Sequence, residues 1–225
     1  MQIFICYYYS INIIMNTWLQ SFNKKYKENL NVRASGSKRG LADDTIYNRH
    51  EGFSIIFDKL IQKNQSHYNI IETGTTRKPN NWKDGNSGFL FVEFCKEFGG
   101  FVKSVDIDKN AVQESNNFND PAYHLAECMD SVKWLGQQEN LKDVDLFYLD
   151  SYDVKWQKDE KSAEHHLKEF KVIEPFLENC IVAIDDNSRL LESNHRTGKG
   201  RMIAEYLDSK SKSPIYDGYQ IIYEF

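Results

Sequence analysis

Cysteine is scarce and scattered. The four cysteines, Cys6, Cys95, Cys128 and Cys180, form no C-x-x-C pair. This spacing argues against a zinc knuckle or a disulfide framework, so a reducing, cytoplasmic setting is expected. A long apolar run is also missing. The opening "MQIFICYYYSINIIM" is too short to span a bilayer. It lacks the basic n-region and small-residue cleavage site of a signal peptide, and no membrane partner is expected. A second methionine, Met15, opens a more ordinary stretch, so residues 1–14 are expected to precede the true start or to form a loose tail. Excess positive charge is absent too. Lysine plus arginine number 28 against 33 acids, a net charge of −5, which argues against a nucleic-acid-coating protein. No G-x-x-x-x-G-K-[ST] occurs, and no G-x-G-x-x-G follows the first strand, which argues against a phosphate loop and a nicotinamide dehydrogenase. None of this fixes an oligomeric state.

What is present fits a soluble α/β domain. The 225 residues, 40% hydrophobic and 27% charged, are enough for one real core. Residues 1–44 read as an N-terminal tail and arm, the part from 28 to 45 being polar, and 45–225 as a single domain. Apolar residues at helical spacing predict a helix over 45–63. Strands are expected at 68–73, 100–107, 122–127, 144–150 and 180–185. Helices are expected at 87–98, 108–118, 130–137, 162–173 and 199–209. The tail "SPIYDGYQIIYEF" predicts two strands around Asp217-Gly218. Strand alternating with helix implies a doubly wound, mostly parallel Rossmann-like sheet of about seven strands, closing with an antiparallel hairpin.

The acids fall where these strands end. The first strand exits at Glu72-Thr73-Gly74 and the second at Asp106-Ile107-Asp108. Glu127 and Asp130 follow the third, Asp150 ends the fourth, and Asp185-Asp186-Asn187 end the fifth. Ligands of open parallel sheets bind outside the carboxyl ends of the strands. A run of acids along that edge therefore predicts a binding rim, although any one of them is equally a helix cap.

The ordered set "ETG", "VDID", "MDS", "YLD" and "IDDN", with the terminal hairpin, resembles the class I S-adenosylmethionine-dependent methyltransferases over roughly residues 50–225. The resemblance implies S-adenosylmethionine as cofactor, held by Glu72, Gly74, Asp106, Ile107 and Asp130. Glu72 and Gly74 would lie beneath its methionine part, Asp106 on the ribose hydroxyls and Asp130 near the adenine amino group. The loop "GTTRKPNNWKDGNSG" is poorer in glycine than the family pattern, and Arg77 and Trp82 suit it to a lid. Asp150 with Asp186 and Asn187 resembles the triad with which catechol-type O-methyltransferases hold a divalent cation. Mg²⁺ or Mn²⁺ is implied there, lowering the pKa of a substrate hydroxyl. The bland alternative is a turn at Asp185-Asp186, with Asn187 in a left-handed conformation.

The resemblance makes Asp150 catalytic and expects a lysine base nearby. Lys155 is the candidate, with His165 and His166 as alternatives; a solvent-facing histidine pair is the plainer reading of these two. "HRTGKGRM" (195–202) is placed to meet an anionic group of a substrate at a helix N-terminus. Arg33, Lys38 and Arg39 read as a solvated arm, and Trp134 and Trp156 as packing residues. The expected reaction is O-methylation of a small-molecule or glycan hydroxyl. A nucleotide-sugar-dependent transferase remains open, because Asp106-Ile107-Asp108 is formally a D-x-D motif. So does a non-catalytic binding module.

Overall fold

The computed structural model describes residues 17–33, 46–156, 158–190 and 192–225. The proposed tail 1–14, with Met15, Lys38 and Arg39, lies outside these residues. In chain order the elements are α1 (17–30), β1 (Asn31–Arg33), β2 (Ile46–Asn48), α2 (His50–Gln62), β3 (Tyr68–Thr73) and α3 (Ser87–Phe98). Then come β4 (Gly100–Asp106), α4 (Lys109–Phe118), β5 (His124–Cys128), α5 (Ser131–Leu135), β6 (Leu146–Leu149) and α6 (Glu160–Ile173). The chain ends with β7 (Ile181–Ile184), β8 (Asn187–Arg189), β9 (Arg196–Gly198), α7 (Arg201–Ser209), β10 (Tyr216–Asp217) and β11 (Ile221–Glu224).

Seven strands form one sheet in the order β10-β11-β7-β6-β3-β4-β5. Strands β3 to β7 run parallel, and β11 returns antiparallel between β7 and β10. The expected Rossmann-like sheet with its closing hairpin is therefore the observed fold. Alternation within single strands builds two cores. On β6, Leu146 and Tyr148 join α1, α2 and α3 on one face, while Phe147 and Leu149 join α5, α6 and α7 on the other. All four are fully buried, which is why "LFYL" reads as an unbroken apolar run.

Three boundaries differ from the sequence reading. The polar arm begins as helix: α1 buries Phe22, Tyr26 and Leu30, and Trp18 packs edge-on against Phe57, Phe94 and Phe98. The helix expected from 45 starts only at His50, because 46–48 pair with 31–33 as a short hairpin. Between β7 and α7 lies a second hairpin, β8–β9, that apolar periodicity does not reveal; its residues, "NSR" and "RTG", are polar.

Sheet register positions the site. Glu127, Val105, Thr73, Leu149 and Ile184 form one row across five strands. Directly after this row the strands exit at Cys128, Asp106, Gly74, Asp150 and Asp185; Asp106 still pairs with Cys128, while the Gly74 N–H turns to the Val105 carbonyl at 2.7 Å.

Candidate functional site

A cleft of about 350 Å³ opens at these exits. Gly74, Thr75, Thr76 and Arg77 line it from the β3 exit, Asn86 and Ser87 from the start of α3, Asp106 and Ile107 from the β4 exit, and Asp150 and Ser151 from the β6 exit. Gly74 is required where it stands. Its φ is +85°, and a Cβ there would lie 2.6 Å from the Asp150 carbonyl oxygen.

Glu72 lies beneath the cleft, 1% exposed, accepting from the hydroxyls of Ser87 at 2.5 Å and Ser104 at 2.7 Å. Burial pushes its pKa up to about 7, against the pull of those two donors. Ser104 also meets His124 Nε2 at 3.1 Å, and burial pushes that imidazole down to about 4. Asp106 accepts from the N–H of Thr75 at 3.2 Å on one oxygen and of Asp108 at 2.8 Å on the other. Burial raises its pKa as well. Each oxygen keeps a lone pair for a further donor. Ile107 beside it is 75% exposed, the most exposed large hydrophobic side chain among the described residues.

Two polar residues in the lining have nothing to bond. Asn86, 3% exposed and left-handed at φ +51°, has no partner on either amide atom, and the Thr76 hydroxyl has none either. Buried polar groups are almost always paired, so these mark where a ligand belongs. The charge of the cleft is one-sided: Asp84, Asp106, Asp108, Asp150 and Asp153 face a single Arg77. Such a rim favours a cationic ligand. Arg77 reaches Asp153 with both contacts at 3.0 Å, spanning from the β3 exit loop to the β6 exit loop. Trp82, the other expected lid residue, instead packs against Tyr26 and Phe89.

Asp130 caps α5 through the Lys133 N–H and is not in the cleft lining, nor is Glu127, which accepts from Trp134 Nε1. Lys155 is exposed and also outside the lining. The lysine that reaches Asp150 is Lys199, which bonds Asp150 Oδ1 closely and Asp186 Oδ2 at 3.0 Å. The expected meeting of "HRTGKGRM" with an anionic substrate is thus replaced by ion pairs within the chain. Arg49 completes the cluster, with Nε on Asp185 at 2.7 Å and Nη2 on Asp186 at 3.2 Å. The Tyr219 hydroxyl donates to Asp186 at 2.5 Å. Burial pushes Asp150 well above the usual carboxylate range despite Lys199, and raises Asp185. Burial also opposes the charge of Asp186, but Lys199 and Arg49 outweigh it and hold its pKa low.

Oxygen atoms of Asp150, Asp185 and Asp186 approach within 4.8 Å of one another. The Asn187 amide beside them is hydrogen-bonded within its own turn. Its amide nitrogen donates to the carbonyls of Ile184 and Asp185, and its oxygen accepts the Gly200 N–H at 2.7 Å. The amide thereby closes the turn after β7. Asp186 takes the left-handed conformation, at φ +52°, that the turn alternative gave to Asn187.

His165 and His166 are not a solvent-facing pair. His166 is fully buried, and both Nε2 atoms face Glu169, at 3.4 Å for His165 and 3.9 Å for His166. Burial pushes His166 down to about 4. Glu169 also accepts from Ser151, a cleft residue, at 2.7 Å. Four site residues had escaped the sequence reading: Arg49, Thr76, Asn86 and Lys199. Only Lys199 carried a signal, the two glycines that flank it.

No protein-family model and no curated protein matches the chain. Among solved structures it is similar to the MycE methyltransferase of the mycinamycin biosynthetic pathway in complex with Mg and SAH, at 11% identity and a TM-score of 0.49. That match covers 79% of this chain and 49% of the other, so the chain spans about half the length of that protein. A sarcosine dimethylglycine methyltransferase assignment from Galdieria sulphuraria aligns at 13% identity and a TM-score of 0.41, covering 74% of this chain and 60% of that one. An S-adenosylmethionine dependent methyltransferase from Mesorhizobium loti aligns at 12% and 0.33, covering 75% and 73%. At these values the likeness adds nothing to the fold read from the strand order.

Proposed function

We propose that the chain is an S-adenosylmethionine-dependent methyltransferase acting on a hydroxyl of a small or sugar-like molecule. The observation that carries this reading is the acid-rimmed cleft at the strand tips, lined by Asp106, Gly74 and Asp150 at successive strand exits, with the unpaired amide of Asn86 inside it. Its residues suit the cofactor. Asp106 has lone pairs for two ribose hydroxyls. Ile107 offers an apolar surface that a planar base would cover. Asn86 and Thr76 supply donors and acceptors for an amino-acid end, and the acidic rim suits a cation. When bound, the cofactor supplies an electrophilic methyl group on a positive sulfur.

Asp150 is the base in this reading. It lines the cleft, one oxygen is held by Lys199, and Oδ2 has no partner among the described residues. With Lys199 on one oxygen, the other is placed to take a hydroxyl proton as the acceptor oxygen becomes a nucleophile. Positioning of the two reactants supplies much of the remaining rate. Lys155 has no part in this scheme. The nucleotide-sugar reading is disfavoured, because the cleft's single Arg77 against five aspartates opposes a diphosphate.

Thermal shift with S-adenosylmethionine, S-adenosylhomocysteine, a nucleotide sugar and NAD tests the reading. Ligand at about 100 times Kd adds about 2.7 kcal/mol to the folded state. Stabilisation by the first two alone is expected. Stabilisation by the nucleotide sugar or NAD alone would overturn the proposal.

A further inference from the structure

The strand-tip acids invite a divalent cation, yet the space among them is filled. Lys199 is 2% exposed, and its ammonium has three hydrogens. It donates to Asp150 Oδ1 and to the Asp150 carbonyl at 3.3 Å, and forms an ion pair with Asp186 Oδ2 at 3.0 Å. Apart from Asp150 Oδ2 and the buried Asp185 Oδ1, which has no partner, the other candidate oxygens are also engaged. Asp185 Oδ2 and Asp186 Oδ1 accept from Arg49, Asp186 Oδ1 also accepts from Tyr219, and Asn187 Oδ1 holds the Gly200 N–H. A hard dication wants about six oxygens and repels neighbouring cations. This centre offers it few free oxygens, and an ammonium and a guanidinium already stand in place.

The backbone is shaped to deliver that ammonium. Gly198 has φ +112°, and a Cβ there would lie 2.1 Å from the Asp186 carbonyl oxygen. A Cβ at Gly200 would lie 2.7 Å from Asn187 Oδ1. The two glycines let the strand before α7 press onto the β7 exit, and the Lys199 N–H bonds the Asp186 carbonyl at 3.2 Å. The side chain between them is thereby directed onto the acids.

We infer that this is a lysine-filled cation centre, in which the Lys199 ammonium takes the place of the divalent ion and Asp150 and Asp186 are its counter-ions. Lys199 is a positioning residue. It fixes Asp150 and leaves Oδ2 toward the cleft, a consequence for the reaction that rests on the methyltransferase reading. The centre itself rests on the geometry alone.

Mn²⁺ titration of the EDTA-dialysed full chain, followed by electron paramagnetic resonance of the free ion, tests this. The wild type is expected to take up no stoichiometric Mn²⁺. Lys199→Ala keeps all three carboxylates and removes one cation, and is expected to bind one equivalent and to gain Tm with Mn²⁺. A wild type that binds one equivalent, lost in Asp186→Asn, overturns the inference. So does a folded Lys199→Ala protein that binds none. Should that variant fail to fold, the wild-type titration decides by itself. S-adenosylhomocysteine added to the wild-type sample separates the two proposals: its failure to bind sinks the methyltransferase reading and leaves the Mn²⁺ result standing.

Discussion

Asn86 is the residue whose state most directly asks for a ligand. Its buried amide has no partner, and an unmet polar group costs about 1–3 kcal/mol. Glycine tolerates the same left-handed backbone. Asn86→Gly is therefore expected to leave Tm unchanged or raised while weakening S-adenosylhomocysteine about tenfold, a loss of about 1.4 kcal/mol. Calorimetric titration beside thermal denaturation checks both halves. Glu72 has a different signature. Its pKa rises from 4.5 to about 7 on folding, so the folded state holds the proton more tightly. The stability this adds is full below about pH 4.5 and is lost as pH climbs through about 7. At about 1.4 kcal/mol per pH unit, that is on the order of 3 kcal/mol. His124 and His166, pushed down from 6.5 to about 4, act in the opposite sense. Their contribution is present above about pH 6.5 and lost as pH falls toward 4. Glu72→Gln keeps both serine partners and removes only the first effect. The stability gap between the variant and the wild type should therefore be constant below about pH 4.5, widen in favour of the variant between about 4.5 and 7, and level off above about 7.

At the scale of elements, α1 is part of the core. Its Phe22 stacks on Trp18 and meets Phe57 edge-on, 4.9 Å between centroids. Phe22→Ala is expected to destabilise by about 3 kcal/mol or more, through lost burial and the cavity left behind. Urea denaturation measures it, and a change below about 0.5 kcal/mol would show that α1 docks weakly. The same scale shows what was legible in the sequence. Strands β3, β4, β6 and β7 and helices α3, α4 and α7 were readable because apolar period and end signals agree there. The hairpins β1–β2 and β8–β9 were not, since short polar strands have no hydrophobic face to betray them. Asp150, Asp106 and Gly74 could be placed at the rim because strand exits determine it. Lys199 was hidden because its role depends on a hairpin that folds it back 49 residues onto Asp150. Lys155, the base that the resemblance suggests, is left exposed by the β6 exit loop.

For the whole molecule, none of the helices among the described residues is long and apolar enough to cross a membrane. The account depends on one property of the assembled sheet: its strand tips present an acid-lined cleft for a cationic adenosyl ligand. Isothermal titration of S-adenosylhomocysteine into the full chain and into Asp106→Ala tests this most directly. One-to-one binding is predicted for the wild type, weakened at least tenfold in Asp106→Ala with little change in Tm. No heat of binding to the folded wild type, or equal affinity in both proteins, would contradict it.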